Sequence, residues 1–227
     1  MSAIAIIPAR GGSKRIPKKN IKIFCGKPII CYSISAALES GIFDEVMVST
    51  DSKEIAEISE KAGAKVPFIR SKKNSDDDST VIDVVKEVLD YYDSEGKRFD
   101  ILCTIYPTAP FVTPEKLKMG LDVMEKTGAD GQMTVVQYGF PPQRSNVIKN
   151  GLLEYCYPEY RLTRSQDLEP IYHDTGQFYF GRIAEDLSFE THIYAPLIVP
   201  ETEAQDIDNE TDWKIAEMKY SLMLGKA

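Results

Sequence analysis

The chain reads Ile4-Ala-Ile-Ile-Pro-Ala-Arg-Gly-Gly-Ser-Lys-Arg-Ile-Pro-Lys-Lys-Asn20 near its start. The apolar run from Ala3 to Ile7 predicts a buried first strand, which stops at Pro8 and opens into a loop with two glycines. Glycines let the backbone approach a ligand and offer N–H donors, and cations neutralise a polyanion. A buried strand that runs into such a loop predicts a triphosphate cradle in an α/β protein, and a solvated basic loop is the simpler alternative. The basic residues of this stretch, with no acid between the first and the last, are Arg10, Lys14, Arg15, Lys18, Lys19 and Lys22.

Composition sets limits on the class of protein. The chain has 227 residues, enough for one domain, and its 43% hydrophobic and 27% charged residues are typical of a soluble globular protein. A formal net charge of -8 argues against general nucleic-acid binding, which needs an extended basic surface. No apolar run approaches a membrane span, and the positive charges follow the first apolar run rather than precede it. The four scattered cysteines are interpreted as reduced packing residues. These features together predict a cytoplasmic protein without a signal peptide or membrane association.

Strand and helix signals alternate through the first 140 residues. This alternation predicts a Rossmann-like, mostly parallel sheet flanked by helices, in a single domain over residues 1–227. Because ligands collect at the carboxyl ends of such strands, the loops after Ile7, Thr50, Ile69 and Tyr106 should share one crevice. The predicted elements are a helix over Ile29–Leu38 ending near Gly41, a strand over Glu45–Thr50, a helix capped by Asp51 and running to about Ala62, a short strand over Val66–Ile69, a helix capped by Ser79 or Thr80, a strand over Phe99–Tyr106, a helix starting at Thr113 and a strand over Gln132–Val136.

The alternation breaks at Gly139. Residues 139–175 are rich in prolines and aromatics, and Asn150-Gly151 between two apolar pairs predicts a β-hairpin. We expect this stretch to be a small β-rich excursion whose tyrosines pack against a second copy of the chain in a homodimer. Regular structure should then return with Phe178–Phe180, Ile193–Val199 and a last helix over Thr211–Leu224.

Asp206-Ile-Asp208 is the second strong signal. On an extended chain the two carboxylates point the same way while Ile207 faces the core. Such a pair suits one hard divalent cation, Mg²⁺ bound to substrate phosphates being the common case. A pair of solvated turn residues is the alternative reading, and Asp212 is expected to serve the first turn of the last helix.

The N-terminal stretch fits neither the P-loop, which needs a closing Gly-Lys-Ser/Thr, nor the dinucleotide fingerprint, whose third glycine is missing. It resembles the signature of the CMP-sugar synthetase (acylneuraminate cytidylyltransferase) family, Ala-Arg-x-x-Ser-Lys-x-x-Pro-x-Lys-Asn, which ends here at Asn20. The family also carries Asp-Ile-Asp before a C-terminal helix, with both aspartates on the metal. The resemblance implies a nucleotide-diphospho-sugar transferase type of fold, Mg²⁺ on Asp206 and Asp208, and Arg10, Lys19, Asp206 and Asp208 as catalytic groups. It implies a nucleotide site at Ala9, Arg10, Gly11, Gly12, Ser13, Lys14, Lys19 and Asn20.

The run from Arg70 to Ser79 resembles the segment with which this family recognises cytosine. Arg70, Ser75 and Asp76 match the family's arginine and its Ser-Asp pair. The resemblance therefore implies that these three residues bind the nucleotide. Asp77 and Asp78 have an equally good explanation, because acidic residues favour the N-terminus of the following helix through its dipole.

The sugar side is implied by two further motifs. Tyr106-Pro-Thr-Ala-Pro110 resembles the family's Gln-Pro-Thr-Ser-Pro, with tyrosine in place of the glutamine that contacts sialic acid. Arg164 corresponds to an arginine that faces the sugar carboxylate, for which its planar fork is apt. His173-Asp174 replaces the family's Arg-Pro, and His173 is either a substrate contact or a satisfied hydrogen-bonding residue. The residues implied to bind the sugar are Tyr106, Thr108, Arg164, His173 and Gln177.

These motifs together are most similar to the branch of the family that activates pseudaminic acid. The resemblance implies that CTP and a nonulosonic acid react to a CMP-sugar and pyrophosphate. Sialic, legionaminic and 3-deoxy-octulosonic acids are the alternative sugars, and a catalytically silent nucleotide-binding regulator is the alternative of another class.

Overall fold

Strands and helices alternate along the chain largely as the sequence predicts. The computed structural model describes residues 1–76, 78–189 and 191–225, so that Asp77 lies outside the described residues. The strands are β1 (Ala3–Pro8), β2 (Ile23–Phe24), β3 (Lys27–Pro28), β4 (Glu45–Ser49), β5 (Ile101–Ile105), β6 (Gly131–Gln137), β7 (Asn146–Lys149), β8 (Leu152–Tyr155), β9 (Tyr172–Arg182) and β10 (Tyr194–Ile198), and the α-helices are α1 (Ile30–Ser40), α2 (Lys53–Lys61), α3 (Val81–Ser94), α4 (Pro114–Thr127) and α5 (Glu210–Met223).

Six of these strands form one sheet in the order β10-β6-β9-β5-β1-β4. β1 pairs in parallel with β4 and β5, and β6 pairs in parallel with β10. β9 runs antiparallel to both of its neighbours, β5 and β6. The fold is thus the predicted Rossmann-like, mostly parallel sheet with one reversed strand in its middle.

Helices cover the sheet on both faces because successive strand residues point to opposite sides. In β1, Ala5 and Ile7 belong to the core under α1 and α4, whereas Ile4 and Ile6 belong to the core under α3. All four side chains are fully buried. This double burial explains why the first strand reads as a continuous apolar run.

Two sequence expectations in this half of the chain are wrong. Ser52, not Asp51, caps α2, and its hydroxyl accepts from the backbone N–H of Ile55. Residues Val66–Ile69 form no strand, and only Lys65 pairs in parallel with Met47. Pro67 has no N–H to donate, so the ladder cannot continue along this segment.

The excursion leaves the sheet at the end of β6 and returns in β9. Its hairpin β7–β8 is formed as predicted, with positive φ angles of 50° at Asn150 and 79° at Gly151. The predicted end at residue 175 is wrong, because Tyr172 already pairs with Gln137 of β6. Since β6 and β9 are antiparallel, the segment between them projects from the carboxyl edge of β6, which is also the carboxyl edge of β1 and β5.

A third core cluster joins the two ends of the chain. Phe24 of β2 packs edge-on against Trp213 and Tyr220 of α5, with ring centroids 5.5 Å apart in both pairs. Ile16 of the basic loop and Ile207 are buried in the same cluster. The cluster therefore brings the basic loop and the Asp206–Asp208 segment together.

Candidate active site

A cavity of about 480 Å³ opens at the carboxyl ends of β1 and β5. Its wall comes from the basic loop, from the segment between residue 70 and the first turn of α3, and from the residues after β5. The predicted crevice is thereby confirmed for these three stretches. The predicted site residues that line the cavity are Arg10, Ser13, Lys14, Lys19, Asn20, Arg70, Asp76, Tyr106 and Thr108.

Internal hydrogen bonds set the shape of the basic loop. The N–H of Ala9 donates to the Ser49 carbonyl, and the N–H of Gly11 donates to Asp51 Oδ1 at 2.7 Å. The Asn20 amide donates to the Arg10 carbonyl at 2.9 Å. Ala9 and Gly11 were predicted to bind the nucleotide, but their N–H groups are already hydrogen-bonded to Ser49 of β4 and to Asp51. These bonds hold the loop in place.

Gly12 and Ser75 do not line the cavity either. Gly12 is exposed, and a Cβ atom there would meet no other atom within 4 Å. The Ser75 hydroxyl donates to the Ser71 carbonyl at 2.7 Å and so stabilises its own loop. Neither residue contacts the space that the cations surround.

The acidic pair lies against the basic loop. Lys19 Nζ donates to the Ile207 carbonyl at 2.6 Å and lies 3.7 Å from Asp208 Oδ1. Arg15 forms an ion pair of 2.7 Å with Asp208 Oδ2. Asp206 and Asp208 are not among the residues that line the cavity, and Asp208 is linked to it through Arg15 and Lys19, which do line it.

Burial raises the pKa of Asp206 above its ordinary value, and the neighbouring Asp208 carboxylate adds to the rise. A hard divalent cation prefers carboxylate ligands and would neutralise the repulsion between two neighbouring carboxylates. In the described residues no group of three or more His, Cys, Asp and Glu side chains could hold a metal ion. The pair therefore fits Mg²⁺ that takes its remaining ligands from substrate phosphates and water.

Packing and capping fix this acidic segment. Ile207 is 1% exposed and faces the core between the two aspartates, as predicted. Asn209 caps α5, and Asp212 completes a capping box by accepting from the N–H groups of Asp208 and Asn209. The role predicted for Asp212 in the first turn of the last helix is confirmed.

Arg70 is buried in the wall of the cavity. Its Nε donates to the Ser49 hydroxyl at 2.9 Å, and its terminal nitrogen donates to the Ser49 carbonyl. Burial lowers the pKa of its guanidinium below the ordinary value. Next to it, Asp76 Oδ1 accepts from the N–H and hydroxyl of Ser79, which orders the loop before α3.

Tyr106 also lines the cavity. Its ring meets that of Tyr179 edge-on, with centroids 5.7 Å apart. Burial raises the pKa of the Tyr106 hydroxyl, and Asp174 and Asp206 add to the rise. Asp206 is therefore close enough to Tyr106 to act on its hydroxyl electrostatically.

Gln177 is not placed at the cavity. Its side chain is buried, and Nε2 donates to the Glu203 carbonyl at 2.7 Å. Lys116 pairs with the Glu203 carboxylate at 2.7 Å, and Lys219 donates to the Ala204 carbonyl. Gln177 therefore helps to anchor the segment that precedes Asp206, and its side chain does not line the cavity.

Arg164 and His173 also lie away from the cavity of their own chain. Arg164 is exposed in the excursion and pairs with Asp167 through two nitrogens, at 2.7 and 3.2 Å. His173 Nδ1 lies 2.9 Å from the Asp174 carbonyl oxygen, and its ring packs near Tyr138. Neither residue is among those that line the cavity described above.

Sequence reasoning missed several wall residues. The sequence identifies Arg15 only as one of the basic residues of the loop, because its ion-pair partner Asp208 is distant in sequence. Ser79 and Thr80 were read as helix caps, and the structure adds that both line the cavity at the N-terminus of α3. That position was a usable signal, because helix N-termini attract anions. The remaining missed wall residues are Pro8, Asn74, Val81, Val84 and Pro107.

A second and larger cavity, of about 800 Å³, lies between α3 and the sheet below Tyr179. Its wall is mainly apolar, with Ile82, Phe189 and Tyr194 among the residues that line it. The basic loop does not reach it, and its described wall contains one lysine, Lys86, and no arginine, which is too little positive charge for a triphosphate. The smaller cavity is thus the candidate active site.

A comparison with protein families matches residues 4–188 to the family described as cytidylyltransferase. The chain belongs to this family. The match begins in β1 and includes the basic loop, Arg70 and the Tyr106 motif, so the cavity is built from residues of the family domain.

Relatives match over almost the whole chain. The pseudaminic acid cytidylyltransferase of Campylobacter jejuni is 39% identical and the CMP-N,N'-diacetyllegionaminic acid synthase of Legionella pneumophila is 34% identical. In both cases the match covers 98% of this chain and 97% of the relative. The structure of a CMP:2-keto-3-deoxy-manno-octonic acid synthetase complexed with CTP superposes with a TM-score of 0.69 at 18% identity and covers 100% of both chains. That similarity supports the same fold.

Proposed function

We propose that this cytidylyltransferase joins CTP to a nonulosonic acid and that the sugar is pseudaminic acid. The anomeric hydroxyl oxygen attacks the α-phosphorus, the bond to the β-phosphate oxygen breaks, the hydroxyl proton is lost and pyrophosphate leaves. The observation that carries the proposal is a cavity of about 480 Å³ that is lined by loop cations and Tyr106 and is linked to the acidic pair through the contacts of Asp208 with Arg15 and Lys19. That volume is in the usual range for small-molecule sites.

Phosphoryl-type transfer depends mainly on positioning and on charge neutralisation. Arg10, Lys14 and Lys19 line the cavity and would bind the triphosphate. Lys19 is fixed by its bond to the Ile207 carbonyl and would offset the charge that grows on the α-phosphate. Arg70 and the loop before α3 would recognise the cytosine.

We assign Mg²⁺ to Asp206 and Asp208, supported by the repulsion between their carboxylates. When bound there, the ion would polarise a phosphate oxygen and neutralise part of its charge. The chain's own contribution is to hold both carboxylates on one side of the segment through Ile207 and the cap of α5.

The sugar proposal rests on Tyr106. An aromatic wall suits a deoxygenated sugar with a methyl end and acyl groups. The glycerol tail of sialic acid would leave hydroxyls facing the ring without partners, at roughly 1–3 kcal/mol for each. Pseudaminic acid should therefore be the better substrate.

Pyrophosphate release measured with four nucleotides and a panel of acidic sugars tests the proposal. CTP with pseudaminic acid should give the highest kcat/KM, and Asp208→Asn should lower turnover by orders of magnitude because a stabilisation of several kcal/mol is lost. Glu210→Gln is the matched control, since this acid pairs with Lys22 outside the cavity. Equal turnover with UTP would contradict the nucleotide assignment, and a preference for sialic acid would contradict only the sugar.

We further propose a two-fold homodimer in which the excursion reaches the partner's sugar site, and we place the enzyme in the cytoplasm with its substrate CTP. A two-stranded hairpin is marginal on its own, and all residues of β7 and β8 are exposed in the single chain. No helix of the described chain is long and apolar enough to cross a membrane. The large apolar side chains that the excursion exposes include Phe140, Ile148, Leu152, Leu153 and Leu162.

A complementation experiment tests this assembly. If Arg164 serves the partner's site, a mixture of inactive Arg164→Ala and Asp208→Asn proteins should regain activity in mixed dimers. Random exchange predicts about a quarter of the wild-type rate, because half of the dimers are mixed and each has one intact site. A monomeric mass in solution, or no recovery after exchange, would argue against the proposal.

A further inference from the structure

Arg15, which lines the cavity, forms an ion pair with Asp208. Its guanidinium lies 2.7 Å from Asp208 Oδ2, while Lys19 Nζ lies 3.7 Å from Oδ1 of the same carboxylate. Both oxygens of Asp208 therefore face cations of the basic loop. A divalent ion that approaches Asp208 meets these positive charges first.

The cations around this segment differ in how firmly they are held. Lys19 is 20% exposed and donates to the Ile207 carbonyl. Lys22 binds Glu210 and lies over the Trp213 ring, and Lys18 binds Glu54.

The Arg15 side chain, in contrast, is 69% exposed and lines the cavity. An exposed ion pair contributes little to stability, so the guanidinium can leave Asp208 at small cost.

A triphosphate offers Arg15 a stronger partner than one carboxylate. Arginine binds phosphate oxygens through two donors, and several negative charges would lie beside the loop once a nucleotide is bound. Movement of Arg15 toward the phosphates would release Asp208, and the same phosphates would supply further ligands to a metal ion.

We propose that Arg15 is a positioning residue that makes divalent-metal binding at Asp208 depend on the bound nucleotide. The proposal rests on the metal site assigned under the proposed function. The Arg15–Asp208 ion pair competes with a metal ion for this carboxylate, and the phosphates of a bound nucleotide draw Arg15 away from it. Because such coupling is reciprocal, the metal must raise the affinity for CTP by the same factor.

The test uses Arg15→Gln, with Lys18→Gln as the matched control, because Lys18 belongs to the same loop but binds Glu54. Electron paramagnetic resonance of Mn²⁺ gives its Kd for the nucleotide-free proteins. Arg15→Gln should bind Mn²⁺ about two- to five-fold more tightly than the wild type, because the ion no longer has to displace an exposed ion pair from Asp208. Lys18→Gln should bind like the wild type. By calorimetry, the ratio of CTP affinities with and without Mn²⁺ should shrink in Arg15→Gln.

Asp208→Asn separates this proposal from the one that it rests on. If Asp208→Asn loses the Mn²⁺ site while Arg15→Gln keeps the wild-type Kd, the proposed metal site stands and the role of Arg15 is overturned. If Asp208→Asn binds Mn²⁺ like the wild type with and without CTP, the metal assignment itself fails and the role of Arg15 fails with it.

Discussion

Replacing Ile207 tests how the acidic pair is held in place. The side chain is 1% exposed and packs in the cluster that contains Phe24, Ile16 and Trp213. Asp206 and Asp208 flank it on either side, so a loss of packing at Ile207 acts directly on both carboxylates. Ile207→Ala leaves a cavity, whereas Ile207→Val removes a single methyl group.

The expected size of the effect follows from this complete burial. Ile→Ala substitutions in cores cost about 2–5 kcal/mol, and Ile→Val substitutions cost about 0.5–1.5 kcal/mol. For a chain of 227 residues, each kcal/mol lowers the Tm by roughly 2–4 °C. Ile207→Ala should therefore lower the Tm by about 4–20 °C. Turnover should fall as well, because a carboxylate displaced by about 1 Å can cost about a hundred-fold in rate.

Trp213 provides the assay, because it is the single tryptophan and packs in the same cluster. Its fluorescence during heating reports the Tm of each variant, and pyrophosphate release reports turnover. Ile23→Ala is the control, since Ile23 is 58% exposed and its loss should change stability by less than about 0.5 kcal/mol. A Tm for Ile207→Ala equal to that of Ile23→Ala would refute the packing argument.

Two further predictions concern stability. Asp206→Asn should raise the Tm at neutral pH while turnover is lost, because the raised pKa of Asp206 means that its ionised form costs more in the folded than in the unfolded chain. This gain should vanish in Tm measurements at a pH below the ordinary aspartate pKa, where the carboxyl is neutral in both states, and a gain that persisted there would contradict the electrostatic cause. Gly120→Ala should lower the Tm, because its Cβ would lie 2.8 Å from the Phe178 ring and 3.0 Å from Gln132 Oε1. An unchanged Tm by calorimetry would show that α4 can shift away from the sheet.

The sequence predicts elements best where local chemistry decides them. Thr80 and Thr113 cap helices as expected, and Asn150-Gly151 forms its turn, because each feature depends on a few neighbouring residues. The first strand is equally clear, since burial on both faces leaves a continuous apolar run. These signals are enough to predict an α/β sheet with a ligand crevice.

Long-range properties were not predictable in the same way. The direction of β9 depends on its pairing with β5 and β6, and no local pattern encodes strand polarity. The strand expected over Val66–Ile69 failed because Pro67 interrupts the ladder. Burial likewise decides Gln177, which the motif placed at a sugar and the fold uses to hold Glu203.

The candidate site was predictable in composition but not in pairing. The motifs identify the loop cations and the two aspartates, yet they give no partner for any charge. The structure pairs Lys18 with Glu54 and Arg15 with Asp208, which separates a lysine that supports the loop from an arginine at the cavity. These ion pairs cannot be predicted from local sequence, because they depend on the third core cluster, which brings the basic loop and the acidic segment into contact.

The acidic pair also indicates that the contact between the basic loop and the acidic segment serves a function and does not only stabilise the fold. Burial and Asp208 together raise the pKa of Asp206, so its charge is a cost to the folded chain at neutral pH. The fold nevertheless fixes the segment with Ile207, the α5 cap and the anchors at Glu203. A rigid scaffold that holds two repelling carboxylates beside a basic cavity is stabilised when a ligand neutralises them, and perturbed groups of this kind concentrate at functional sites. Mg²⁺ and CTP together should consequently raise the Tm of the wild type more than that of Asp206→Asn.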